Sequence, residues 1–296
     1  MSIIKFYLLL LKEVFQYFLC KKKPTHLYSK KIRKSITADS SVIFGIHEWA
    51  GYAYSRYKVI KYRNLEFKCG LIYSLERLNN YNGIHKISKI LTISGASENY
   101  LSKLIGMPFF SSDIKWALVD NRAMDFSGYS YIFHNYLNND INQYVFLTNT
   151  SVSDNYVNGF IDEYIKVFNE NKNLGILGIS YSSKIYQSLL KNNFNPHIQS
   201  FFMLTTSGIL RDVVKKNGNI FPGENEDYKL SIIRFGEAKI SELILQLGFD
   251  IGIIDENGEL VILPCDSMCK KEIVDGDYRL YAKNPNSINK VNSKYL

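Results

Sequence analysis

Three polar stretches carry side chains able to hold a phosphorylated ligand. The first reads Asp120-Asn121-Arg122-Ala123-Met124-Asp125-Phe126-Ser127-Gly128-Tyr129. It follows the apolar run 114–119 and opens a stretch of helical pattern, so polar side chains and free backbone amides meet there. Such a junction can hold the ribose and phosphates of a nucleotide. It can equally be an ordinary helix start with Asp125 as its cap. The second stretch ends the apolar run Phe146-Leu147 in Thr148-Asn149-Thr150-Ser151. The third, Pro196-His197-Ile198-Gln199-Ser200, leads into another apolar run. A lone His reads as readily as a structural hydrogen-bonding residue as a catalytic one, but three such stretches on separate strands point to a shared ligand.

The familiar catalytic signatures are absent from the chain. It has no Gly-rich dinucleotide fingerprint, no phosphate loop ending in Gly-Lys-Ser/Thr, no Gly-x-Ser-x-Gly elbow and no His-Glu-x-x-His. Cys265 and Cys269 have neither a second pair nor a neighbouring His. They read as reduced thiols in a loop, not as zinc ligands.

The elements that must position these stretches alternate in type. Strands are expected at Ile87–Ser94, 114–119, 144–147, 174–179, 200–204 and Asp250–Ile254. Helices are expected at Glu98–Ile105, 125–137, 159–168, 185–190, 207–215 and 235–247, with a polar loop over 218–228. Alternation of this kind indicates an α/β fold with a mainly parallel sheet, whose ligands bind beyond the carboxyl ends of the strands. The aromatic-rich segment 43–62, with His47-Glu48-Trp49, is open between an irregular segment and a short helix. The organisation expected is a basic segment 1–34, an extension 35–85 packed on the core, a catalytic-type domain 86–275 and a polar tail 276–296.

Composition excludes several classes. Hydrophobic residues make up 46% and charged residues 22%, which is ordinary globular usage and excludes a disordered or multi-span membrane chain. Four cysteines are too few for a disulfide scaffold. The net charge of +8 is concentrated: residues 1–34 hold nine Lys and Arg against Glu13, and the remainder balances 27 basic against 27 acidic side chains out of totals of 36 and 28. A neutral body argues against a nucleic-acid partner. The apolar run 3–20 is interrupted by Lys5, Lys12, Glu13 and Gln16, so it fits an amphipathic helix lying in an interface better than a span or a secretory signal. The basic residues behind it would favour an anionic leaflet; the alternative is a helix docked on its own domain.

The order of the motifs resembles that of bacterial polysaccharide glycosyltransferases of the GT-A type, especially the group related to rhamnan synthesis protein F. The matching segments are Asn121 to Tyr129, Leu147 to Val152, His197 to Ser200, and Gly236-Glu237 with Gly248-Phe249, covering roughly residues 87–255. The resemblance implies a GT-A-like, Rossmann-like sheet flanked by helices. It implies a nucleotide-sugar donor (UDP-, GDP- or dTDP-linked) and a glycan or lipid-linked acceptor in surface polysaccharide synthesis, such as capsule or O-antigen. It places Ser94, Asn121, Arg122, Asp125, Gly128, Tyr129, Asn149, Thr150, Ser151, His197, Gln199 and Ser200 around the donor, and Glu237, at the start of a helix, as the general base. Cytoplasmic location on the inner face of the plasma membrane follows from the same reading.

Two departures stand out. Ala123 and Ser127 replace the two glycines of the first motif, and Asn149-Thr150-Ser151 lacks the family's acidic residue. That residue usually helps hold a divalent metal, Mn or Mg, on the donor diphosphate. Asp154 can substitute if its loop folds back; otherwise cations such as Arg122 neutralise the phosphates. The competing readings are an inactive transferase-like binding subunit, another nucleotide-dependent α/β enzyme such as a nucleotidyltransferase, and a membrane scaffold.

Overall fold

A computed structural model of the chain describes residues 3–19, 28–34, 36, 41–137, 141–155, 157–190, 194–266 and 276–296. Its strands, in chain order, are β1 Val42–Trp49, β2 Arg56–Ile60, β3 Leu65–Cys69, β4 Ile87–Ser94, β5 Lys115–Val119, β6 Tyr144–Asn149, β7 Leu174–Gly178, β8 Tyr181–Lys184, β9 Phe194–Ile198, β10 Phe202–Thr206, β11 Asp250–Ile254 and β12 Leu260–Leu263. The helices are α1 Ile3–Leu19, α2 Leu71–Asn79, α3 Glu98–Ile105, α4 Asp125–Ile132, α5 Phe160–Glu170, α6 Ser207–Lys216, α7 Lys229–Ile232 and α8 Ala238–Gln246.

Eight strands form one mostly parallel sheet in the order β12-β11-β7-β10-β6-β1-β4-β5. The chain steps outward from β1 to β4 to β5, then returns across β1 to β6, and all these pairs are parallel. β10 enters antiparallel between β6 and β7. Strand order therefore reverses at the β1–β6 boundary, where the crevice beyond the strand ends is deepest in folds of this kind. Helices cover both faces. Apolar side chains of α2, α3 and α5 pack with Phe44, Ile46 and Phe146. Those of α4, α6 and α8 pack with Ile43, Val145 and Leu147 on the other face. In α5, Phe160, Ile161, Tyr164, Ile165 and Phe168 are all buried, each contributing ~1.5–3 kcal/mol of transfer free energy.

The α/β expectation holds, with several corrections. Segment 43–62 is neither irregular nor a short helix at its start. β1 is buried along all but its last residue, and its apolar start, Val42 to Phe44 with Ile46, suits a strand covered on both faces. Residues 35–85 thus contain the strand next to the reversal. Residues 185–190 form bends, not a helix. The polar tail has no long element, yet Ala282, Ile288 and Val291 are buried in it, so it is packed onto the domain. The helix expected from 235 starts at α7 and reaches α8 through a π turn, Ile233–Glu237.

Part of the basic segment is also committed to the fold. Arg33 is buried over the Phe168 ring, 3.9 Å from its centroid, and its Nη2 donates to the Phe168 carbonyl at 2.6 Å. Lys30 lies 3.5 Å from both Asp250 and Asp266. These two cations are therefore not a free patch for a leaflet. Lys21 to Lys23 and Cys269 lie outside the described residues.

Candidate functional site

At the carboxyl ends of β1, β4, β5 and β6 the polar side chains form one network. His47 is buried between neighbours: Nδ1 is 3.1 Å from the Thr92 hydroxyl and Nε2 is 3.3 Å from the Ser94 hydroxyl. Ser94 donates to Asn121 Oδ1 at 3.0 Å. The Thr92 hydroxyl also donates to the Ile46 carbonyl at 3.3 Å. Burial holds the His47 pKa below its usual value, which favours the neutral ring. Helix α4 can lie on this network because its first-turn contact is Gly128: a Cβ there would fall 2.3 Å from both His47 Nδ1 and Thr92 Oγ1.

Asp125 opens α4, but it does not cap it. The cap position is Met124, at φ 50°, with no side-chain bond to the first turn. A positive φ is strained for a side chain of this size. Asp125 is turned instead toward β6, where Asn149 Nδ2 donates to its carboxylate at 2.6 Å. Asn149 Oδ1 accepts the Ser151 amide at 2.9 Å, which fixes the amide orientation. The Asp120 carboxylate takes the Arg122 amide and the Ser127 hydroxyl, at 2.9 and 3.0 Å. The expectation of an ordinary cap is replaced by a carboxylate aimed across the strand ends.

On the opposite face of the sheet, Glu48 is fully buried. The Thr150 hydroxyl donates to Glu48 Oε2. Arg56 donates from Nη2 to Thr150 Oγ1 at 3.0 Å and to its carbonyl at 3.3 Å. Arg56 Nη1 stands 3.6 Å from Glu48 Oε1, and neither of these two buried atoms has a hydrogen-bond partner. Burial pushes the Glu48 carboxyl up to about 7, against the opposing pull of Thr150 and Arg56.

The third stretch arrives beside β6 because β10 runs antiparallel. The Asn149 amide donates to the Phe201 carbonyl at 3.2 Å. The Ser200 amide donates to Glu237 at 2.7 Å, and the Ser200 carbonyl accepts the Tyr129 hydroxyl at 2.8 Å. His197 Nε2 is 3.8 Å from Glu237 Oε1, and its Nδ1 meets the Asn195 carbonyl at 2.8 Å. Glu237 sits at the end of the π turn inside a longer helical run, so it does not open a helix, contrary to expectation. Gly236 brings that run against the Phe126 ring and Gly223.

The structure thus gathers Ser94, Asn121, Asp125, Asn149, Thr150, Ser200, His197 and Glu237 around the end of β6. Gly128 and Tyr129 are buried supports. Gln199 is taken up by Ser180, which donates to its side chain at 2.8 Å. Ser151 is bridged by Asn286, which donates to its carbonyl at 3.0 Å. Arg122 lies apart from the gathering: it is exposed and lines an outer cavity of about 410 Å³ with Ser130, His134 and Glu224. Neither that cavity nor two others, of about 560 and 650 Å³, is lined by Asp125, Asn149, Thr150 or Glu237.

A divalent metal does not fit this donor set. Thr150 is neutral and spent on Glu48. Asp154 follows the β3 strand, its amide donating to the Lys68 carbonyl at 2.9 Å and its carboxylate accepting from Ser153 at 3.3 Å. Among the described residues no group of three or more His, Cys, Asp and Glu side chains comes together. Glu48, Arg56 and the neighbouring Lys58 were not candidates from the three polar stretches. The signal was present in the alternation Arg56-Tyr57-Lys58-Val59, a strand with both cations on one face.

No family model matches the chain, and no curated protein sequence matches it.

Proposed function

We propose that the chain is a glycosyltransferase of the GT-A type. It would move a sugar from a nucleotide-sugar to a glycan or lipid-linked acceptor in surface polysaccharide synthesis. The observation that carries the reading is the convergence of Asp125 and Asn149 with Ser200 and Glu237 at the strand-order reversal, where folds of this class bind nucleotides. Asp125, Asn121 and Ser94 would accept and donate to the ribose and base. In the inverting form of the reaction the acceptor hydroxyl oxygen bonds to the sugar C1, the C1 bond to the diphosphate breaks, and Glu237 takes the hydroxyl proton. The nucleoside diphosphate leaves.

The test is thermal stabilisation by a panel of UDP-, GDP- and dTDP-sugars, each with manganese and with chelator. A selective rise in the melting midpoint supports the reading and names the nucleotide. No rise with any donor moves the chain to the inactive binding subunit, and stabilisation by nucleoside triphosphates alone moves it to the nucleotidyltransferase class.

The same proposal includes a membrane surface, on the inner face of the plasma membrane. Among the described residues no helix is long and apolar enough to cross a membrane. Helix α1 docks by one face only: Phe6 and Leu10 are buried, Phe6 meets the Tyr228 ring at 5.4 Å, and Glu13 pairs with Arg234. The opposite face shows Ile4, Leu8, Leu11, Phe15 and Phe18, each 59–74% exposed, with Lys5 and Lys12 along its margin. Arg234 belongs to the π turn that carries Glu237, so a leaflet bound by α1 would bring a lipid-linked acceptor close to that carboxylate. The double variant L11E/F15E is expected to lose at least about tenfold in co-sedimentation with vesicles containing phosphatidylglycerol. Wild-type protein that stays in the supernatant would remove the anchor.

A further inference from the structure

The β2–β3 hairpin is held over the strand ends from both sides. Cys69 bridges to Ser153 beyond β6, and Arg63 donates to the Ala282 carbonyl in the C-terminal segment. The burial pattern of the hairpin alternates, turning Arg56, Lys58 and Ile60 inward and Tyr57 and Val59 outward. Arg56 spends one terminal nitrogen on Thr150; the other makes no hydrogen bond but stands 3.6 Å from Glu48, and the guanidinium stacks 4.1 Å from the Tyr52 ring centroid. Lys58 is the next inward position, and among the described residues no carboxylate comes within ion-pair distance of it. The charged groups facing it are Arg56 on its own strand, Cys69 on β3, Asp125 at the start of α4 and Arg279 from the C-terminal segment. Arg279 is already committed to Asp277, which it engages at 2.6–3.2 Å.

Two inward cations, Arg56 paired with Glu48 but with one terminal nitrogen making no hydrogen bond, and Lys58 with no carboxylate at ion-pair distance among the described residues, face the strand ends where a metal-holding carboxylate is missing. An inward ammonium without a carboxylate partner, such as that of Lys58, is costly, and a planar guanidinium beside it suits a diphosphate's adjacent oxygens. We propose that Arg56 and Lys58 bind the diphosphate of the donor and supply the positive charge that a divalent ion would otherwise supply. The inference rests on the transferase reading for the nucleotide, but not for the anion.

Burial pushes the Lys58 ammonium down to about 8, helped by Arg279. Above that pH the free side chain is neutral, so anion affinity should fall as pH rises from 8 to 9.5. Glu48, pushed up only to about 7, is already ionised over that range, and burial holds the Cys69 thiol above its ordinary value. An arginine at this position stays charged and should abolish the fall.

The experiment is calorimetric titration of the full chain, in chelator, with UDP, GDP, dTDP and inorganic pyrophosphate. It compares wild type with K58M and K58R, and each variant's melting midpoint is recorded first. Expected are binding by wild type, a loss of about 10- to 100-fold in K58M, recovery in K58R, and a pH-dependence seen in wild type but not in K58R. Pyrophosphate bound through Lys58 while no nucleoside diphosphate binds would support the anion site and sink the transferase reading. Equal affinity in wild type and K58M, binding that requires manganese, or no diphosphate binding at all would overturn the proposal. Should K58M not fold, the pH-dependence of wild type against K58R decides alone.

Discussion

Glu237→Gln is expected to lower turnover by about 10²- to 10⁴-fold, the usual worth of a positioned general base, while leaving donor affinity within about threefold. Gln keeps an oxygen that can accept the Ser200 amide, the 2.7 Å bond that ties the π turn to the third polar stretch. The fold should therefore persist, and the melting midpoint should stay within ~2 °C. The check is a steady-state assay with the donor selected by the melting panel, read as separate kcat and KM. Turnover within threefold of wild type would take Glu237 out of the chemistry. Asp125 would then be the carboxylate to test at the same rim.

Gly128→Ala is expected to produce the largest stability loss of any single methyl addition in the site. Two effects oppose one another. Alanine gains up to ~1 kcal/mol of helix propensity over glycine. Against that, its Cβ would stand 2.3 Å from His47 Nδ1 and Thr92 Oγ1 and 2.8 Å from His47 Cγ. The obstructing groups belong to neighbouring central strands, so they cannot swing aside as a flexible chain end would. Overpacking costs ~1–3 kcal/mol, and releasing His47 from its hydrogen bonds adds ~1–3 kcal/mol. The clash wins, and the midpoint should fall by roughly 2–8 °C. Gly106→Ala is the control: its added Cβ meets nothing closer than 3.6 Å and its φ is −79°. Scanning calorimetry of the two variants decides. Equal midpoints would mean that α4 is not seated on His47 as described.

What was legible in the sequence followed from burial. Asp250–Ile254 read as a strand because a strand covered on both faces is apolar at nearly every position, and Ile87–Ser94 because of its β-branched content. Asp125 and Asn149 stood out for the complementary reason, as polar groups ending such runs. β1 was harder to read, because Gly45, His47 and Glu48 interrupt its apolar sequence. Their tolerance depends on α4, Thr92 and Thr150, which come from distant parts of the chain. The Glu48–Thr150 contact depends on the register of β1 against β6, and no spacing along the chain encodes it. Arg33 looked like part of a solvated cluster, and only the carbonyls of Phe168 and Leu174 explain its burial. Glu237 was singled out by the resemblance alone, and its place inside a helix was not foreseen, since the π turn leaves no compositional mark.

The placement of β1 also has a consequence for synthesis. It is the first strand of the large sheet to leave the ribosome, yet its partners are residues 87–94 and then 144–149. A nascent chain therefore carries an unpaired apolar strand until both partners have been made, and the reversal between β1 and β6 closes later than either neighbouring pair on the β4 side. Sheets whose pairings span such distances form slowly and expose sticky edges while they wait. Expression of this protein should accordingly depend on chaperone supply more than its final stability would suggest.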